Sequence, residues 1–196
     1  QRREIAILEQ EARERERGLH EQLAAARAEA QQAQASVERA KREAQAEIRL
    51  MEADCGRLLE EAEELMETCM GMYSATRTGL AAEAYEIKAT GVAGAKLVPA
   101  PKMKFSLLRP EAVESAFVLW RVTGDARYRE FGWRVFQAVE RHSRLPGNAT
   151  GYAAVADVDS SGPPAENRLD RLDSFFFAET LKYLYLLFSD DDLVPA

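Results

Sequence analysis

Every aromatic side chain of this protein lies between Tyr73 and Phe188, and the first sixty residues contain neither an aromatic nor a proline. The first proline is Pro99. A stretch without large rings has little apolar area to bury, so it cannot build an ordinary core by itself. The 196 residues suffice for one domain with an appendage, and the averages of 46% hydrophobic and 30% charged describe neither half. The net charge is -7, with Lys and Arg scattered among Asp and Glu. That pattern excludes the clustered basic surface a nucleic-acid partner requires. No apolar run reaches the roughly 18 residues of a membrane span, nor does any form the core of a signal peptide. If the protein is secretory, its targeting segment lies outside this chain. Cys55 and Cys69 make neither a metal motif nor a disulfide framework, and leave the redox compartment open.

From Gln1 to about Glu64 the residues are Glu, Arg, Gln and Ala with occasional Leu, all strong helix formers. Starting from Leu19 and Leu23, alternating steps of four and three reach Ala26, Ala30, Ala33, Val37, Ala40, Ala44, Glu47, Met51, Asp54 and Leu58. This heptad pattern has a seam of mostly alanine broken by two acids, so each turn offers little area to a partner helix. A single charged helix, stabilised by pairs such as Glu38 with Arg42, fits nearly as well. Residues 1–60 are therefore expected to be a long charged helix and a candidate coiled coil, with self-association through that segment as a candidate interaction.

After Met72 the pattern changes. Thr78-Gly79 and the stretch from Thr90 to Pro101 read as turns and loop. Arg109-Pro110-Glu111 opens a helix that runs through Phe117 and Trp120 to Gly124, because proline and acids suit a helix's first turn. Asp125 caps a second helix with Tyr128, Phe131, Val135 and Val139 on one face. A loop from Leu145 to Asn148, a short hairpin at Gly151 to Val158 and a polar linker with Pro163-Pro164 follow. Leu172 to Phe188 is apolar nearly all round, as in a helix buried on several sides, with Phe176 and Phe177 expected in the core. Three helices cannot cover this much apolar surface, so the segment reads as part of a larger helical domain.

Glu111 and Glu114 lie three apart on one helix face, so both carboxylates point into the same space. Glycoside hydrolysis uses such pairs, one carboxylate to activate water and one to protonate the leaving oxygen. Two acids in a first turn also simply complement the helix dipole. Wider strings add to the spacing: Leu107-Leu108-Arg109-Pro110-Glu111-Ala112-Val113-Glu114-Ser115, then Leu119-Trp120-Arg121-Val122-Thr123-Gly124-Asp125, then Ser174-Phe175-Phe176-Phe177-Ala178-Glu179-Thr180-Leu181-Lys182-Tyr183 continuing to Asp192. Together with Leu65-Met66-Glu67-Thr68-Cys69 and Thr78-Gly79-Leu80-Ala81-Ala82-Glu83, they resemble the class I α-1,2-mannosidases, family 47 of the glycoside hydrolases. The resemblance covers about Glu61 to Val194, the last third of that family's catalytic domain.

The resemblance implies an all-α fold in which residues 61–196 form the C-terminal segment of an (α/α)7 barrel, preceded by the long charged helix. It implies calcium-dependent, inverting removal of α-1,2-linked mannose from mannose-rich N-glycans in the endoplasmic reticulum or Golgi lumen, with any membrane anchor outside this chain. Glu111 matches the catalytic carboxylate proposed as general base. Arg109 matches an arginine that contacts the glycan, and Phe175 the aromatic on which the terminal mannose stacks. Glu114 and Glu179 match acids that meet the Ca²⁺ through its waters, with no direct metal ligand in the chain; an oxygen-seeking cation suits such carboxylates. Cys69 matches one half of a family disulfide whose partner lies outside the chain, and Cys55 is not its equivalent. Asn148-Ala149-Thr150 is a glycosylation acceptor sequon, consistent with a lumenal loop.

The departures are as informative. Nothing before Glu61 resembles the part of the family that carries the acid catalyst, and the threonine calcium ligand lies beyond the Ser189 to Asp192 stretch. Ala82 stands where the family usually has proline, and Asp173 where it often has Glu. The chain is thus expected to hold a base without an acid or metal ligand and to be inactive alone. Two alternatives remain: a lectin-like member that binds mannose-rich glycans in glycoprotein degradation, and a structural protein that associates through its heptad segment.

Overall fold

The computed structural model describes residues 2–89, 95–147 and 150–193. The chain divides into two compact units, Gln1–Leu58 and Leu59–Ala196. Helix α1 spans Arg2–Ser74, so the helix-forming composition carries on beyond Glu64 through Met66, Cys69 and Met70. In the first unit its side chains are almost all exposed, including Leu19, Leu23, Val37, Met51 and Leu58 of the heptad seam. Glu38 pairs with Lys41 at 3.3 Å, while Arg42 turns back to the Glu38 carbonyl at 3.4 Å. The expected Glu38–Arg42 ion pair is thereby replaced by its i,i+3 alternative, which lies on the same helix face.

The second unit is mostly helical around one core. The last turns of α1 bring Met66 into it, and a turn at Gly79, with φ 75°, leads to Leu80, which is also buried. Strands β1 (Tyr85–Ala89) and β2 (Ala95–Pro99) then pair antiparallel, with Ile87 opposite Leu97 and Glu86 opposite Val98. This hairpin corrects the reading of Thr90 to Pro101 as loop throughout and adds a small two-stranded sheet to a mostly helical fold. Its residues satisfy their backbone groups on each other rather than on a core, and Ile87 is 76% exposed, so no burial pattern announced it.

Helix α2 (Glu111–Thr123) begins after Pro110 and ends where Gly124 takes the left-handed conformation, φ 69°, and donates its N–H to the Trp120 carbonyl. Helix α3 (Ala126–His142) is capped by Asp125, whose carboxylate accepts the Arg127 N–H at 2.9 Å. Its buried face is Tyr128, Phe131, Val135 and Val139, spaced for one side of a helix. Between α3 and the last helix the chain makes single bridges, Arg144 with Tyr152 and Val155 with both Ser106 and Arg168. The expected hairpin within Gly151 to Val158 is absent because Val155 pairs outward with distant segments.

Phe176–Leu181 forms a π-helical turn, and α4 (Lys182–Leu187) continues from it. Phe176 is fully buried, but Phe177 is 55% and Tyr185 67% exposed, so the element is not covered on all sides and Phe177 is not core. Gly132 of α3 is where α4 comes closest: a Cβ built there would lie 2.2 Å from a methyl of the fully buried Leu187. Among the described residues, no helix is long and apolar enough to cross a membrane.

Candidate active site

The site is built around the turn that leads into α2. Ser106 exchanges two backbone hydrogen bonds with Val155, of 2.8 and 3.0 Å, which fixes the chain just before the turn. Leu108 then adopts φ 63°, a left-handed conformation that a leucine takes only when its surroundings impose it. Those surroundings are visible: Leu108 is buried, and its carbonyl accepts the Thr180 hydroxyl of the π-helical turn at 2.7 Å. On either side of Leu108, the Leu107 N–H donates to Glu83 Oε1 at 3.0 Å and Arg109 Nε donates to Glu83 Oε2 at 2.6 Å. One carboxylate therefore clamps both flanks of the strained residue.

Glu83 is itself anchored. Its side chain is 8% exposed, and its N–H reaches the carbonyls of Met103 and Phe105 at 3.1 and 3.0 Å. Just before it, the Ala82 N–H donates to the Tyr85 hydroxyl at 3.1 Å, and that hydroxyl donates to the Met72 carbonyl at 2.7 Å. Ala82, which stands where the resembled family usually has proline, thus uses the N–H a proline would lack.

With the turn fixed, Arg109 lies exposed over the Phe175 ring, its guanidinium carbon 5.5 Å from the centroid. Its hydrogen bond to Glu83 raises its ionisation above the usual arginine value, and the charges of Glu83, Glu111 and Asp173 add to this, so it remains a cation throughout. Asp173 is held in turn by Arg171 in a fork, with 3.0 Å contacts to both carboxylate oxygens. Glu111 opens α2 as an exposed side chain, and Glu114 follows one turn later, half-buried. Both line an open cavity of about 430 Å³, with Ala62, Leu65, Met66 and Cys69 of α1 on the other wall. Tyr73 is near enough to Glu111 that, after burial, the carboxylate charge is the next cause of its raised ionisation.

Glu114 accepts a short hydrogen bond from the Tyr183 hydroxyl of α4. That bond is the main reason the phenol's pKa is raised, followed by desolvation and then the charges of Glu114 and Glu179. Glu179 lies half-buried in the π-helical turn. The structure therefore brings Arg109, Glu111 and Phe175 together on the Glu83 side, and Glu114 and Glu179 on the Tyr183 side. Cys69 and Cys55 are both free thiols. Asn148 lies outside the described residues. Among the described residues, no group of three or more His, Cys, Asp and Glu side chains is placed to hold a metal ion directly.

Sequence reasoning did not single out Glu83, Thr180 or Tyr183, although all three lie in the quoted strings. Glu83 and Tyr183 carried a signal, an acid and a phenol beside assigned residues, but their partners are 26 and 69 positions away in the chain. Thr180 carried none, since its hydroxyl contacts a backbone carbonyl.

Acids on an open cavity, with a paired arginine over an aromatic face at the start of the same helix, are groups a carbohydrate-cleaving protein uses. The chain belongs to glycosyl hydrolase family 47, whose model matches residues 23–196. The match begins inside α1, ahead of Glu61. Among curated relatives, the chain is similar to a mannosyl-oligosaccharide 1,2-alpha-mannosidase of Arabidopsis thaliana, 42% identical over 147 residues, which are 68% of this chain and 23% of that protein. The endoplasmic reticulum mannosyl-oligosaccharide 1,2-alpha-mannosidase of Homo sapiens is 43% identical over 134 residues, 68% of this chain and 19% of its own length. Among solved structures, the alpha-1,2-mannosidase from Trichoderma reesei aligns with a TM-score of 0.55 and 28% identity, over 64% of this chain and 27% of that one. The chain spans about a fifth of the length of these curated relatives.

Proposed function

We propose that this chain forms one wall of a mannosidase site that removes α-1,2-linked mannose from mannose-rich N-glycans by inverting hydrolysis. The observation that carries the reading is the joint placement of Glu111 and Glu114 on the cavity with Arg109 over Phe175, in a chain of family 47. Glu111 is the general base: exposed at the start of α2, it takes the proton of a water whose oxygen attacks the anomeric carbon. The glycosidic bond breaks, and the leaving oxygen needs a proton from an acid outside the residues assigned in this chain. Phe175 offers its ring to the sugar face, and Arg109, kept charged by Glu83, donates to glycan oxygens. Glu114 and Glu179 would hold Ca²⁺ through its waters, and their oxygen donors fit a hard cation. When bound, Ca²⁺ supplies positive charge that orients and polarises sugar hydroxyls.

The wider assignments belong to the same proposal: a partial (α/α) barrel, a disulfide from Cys69 to a cysteine outside the chain, glycosylation at Asn148, and residence in the lumen of the endoplasmic reticulum or Golgi, of which the names of several relatives print the endoplasmic reticulum. On this reading the chain by itself does not turn over substrate. The test is hydrolysis of α-1,2-linked mannobiose in calcium by the protein expressed from its full reading frame, with and without Glu111→Gln. A Gln variant that still trims would remove Glu111 from the base role, and an intact protein that binds without trimming would favour a lectin.

A second reading concerns α1 alone. The exposed seam from Leu19 to Leu58 favours weak self-association of the first unit. Sedimentation of the chain should show a monomer–dimer equilibrium that weakens when Leu19 and Leu23 are both changed to Ala; a strict monomer at high concentration rules the association out.

A further inference from the structure

Glu114 meets α4 in two ways within one turn of α2. Its carboxylate Oε1 accepts the Tyr183 hydroxyl, and Phe117, three residues on and so on the same face, packs its ring 5.9 Å from the Tyr183 ring. The ring also lies 4.3 Å, centroid to nitrogen, from the Lys182 ammonium. Yet neither Glu114 nor Tyr183 is fully buried, and Glu114 lines the open cavity. A carboxylate in contact with solvent has many rotamers, and none of the core's packing selects among them.

We propose that Tyr183 is a positioning residue: by donating to Oε1 it locks the Glu114 carboxylate against α4 and leaves Oε2 as the fully open oxygen presented to a ligand. This rests on the reading of Glu114 as a ligand-facing acid. With one lone pair of Oε1 taken by the phenol and the carboxylate plane fixed, Oε2 is the freer acceptor, an arrangement that suits a hydrogen bond from a sugar hydroxyl or a metal-bound water. The upward pKa shift of Tyr183 agrees with the geometry, since a phenol that donates to a carboxylate keeps its proton. Tyr183 does not touch the reacting atoms in this account, and its effect passes through Glu114.

The experiment compares the full chain with its Tyr183→Phe variant, which keeps the ring against Phe117 and removes only the hydroxyl. Side-chain NMR relaxation of labelled glutamate should show Glu114 ordered in the wild type and mobile in Tyr183→Phe, with the fold retained. Titration with α-1,2-mannobiose in calcium should show about tenfold weaker binding by the variant, the loss expected of one charge-assisted hydrogen bond. Equal Glu114 order in the two proteins overturns the proposal. If wild type shows no mannobiose binding while Glu114 still loosens in the variant, Tyr183 positions Glu114 and the glycan reading is what fails. Should Tyr183→Phe not fold, Glu114→Ala decides: a slowly exchanging Tyr183 hydroxyl proton in the wild type must disappear in that variant, and its persistence overturns the proposal.

Discussion

Leu108 shows how much of this site depends on single atoms. Its left-handed backbone is disfavoured for a branched side chain, and it is sustained by Glu83 on both flanks and by the Thr180 hydroxyl on its carbonyl. Changing Thr180 to Val keeps the volume but leaves a buried carbonyl without its donor, a loss of about 1–3 kcal/mol. Urea unfolding of the Thr180→Val protein should show that drop with an unchanged denaturant slope, and an unaltered midpoint would mean that the turn holds without the hydroxyl. The roles proposed for Arg109, Glu111, Glu114, Phe175 and Glu179 come from the strings in which these residues lie. What the strings left hidden was the support: Glu83 and Tyr183 act on partners far away in sequence, and no local periodicity encodes a hydrogen bond across two elements.

At the scale of elements, α2 and α3 were readable because their signals are local: Pro110 and acids at the start, Gly124 and Asp125 at the junction, and apolar residues at three-to-four spacing. The β1–β2 hairpin was not, since its strands are largely exposed and show no alternation toward a core. The π-helical turn was also invisible, because an apolar run does not reveal how the ladder of backbone bonds is spaced. It places Phe175 at its start and Thr180 within it, so the irregular segment is the one that meets the turn before α2. The contact between α3 and α4 depends on Gly132 having no side chain. Gly132→Ala forces its Cβ against Leu187, which is fully buried and has little room to move, and should cost about 1–3 kcal/mol despite alanine's better helix propensity. A gain in thermal midpoint for that variant would show that Leu187 relaxes freely.

Across the whole molecule, the tyrosines link stability to pH in one direction. Hydrogen bonding to Glu114 and Glu140 raises the pKa of Tyr183 and Tyr152, while burial leads for Tyr73, Tyr85 and Tyr128. The unfolded chain therefore releases these protons first, so the stability they give is complete below about pH 10 and is lost as pH rises through the folded-state values. Chemical unfolding followed across that range should show a steadily falling midpoint; a flat profile would deny that the phenols are protected. The division seen in the composition corresponds to two different uses of a helix: the exposed α1 of the first unit, and the end of the same helix that sends Met66 into the core of the second.

The proposed role of Glu111, activating water in an inverting site, is checked by following the first mannose released from α-1,2-mannobiose by NMR, in calcium, with the protein expressed from its full reading frame. The expected first product is the β-anomer, with a rate about 10²–10⁴-fold lower for Glu111→Gln. An α-anomer product, or undiminished turnover by the Gln variant, would contradict it.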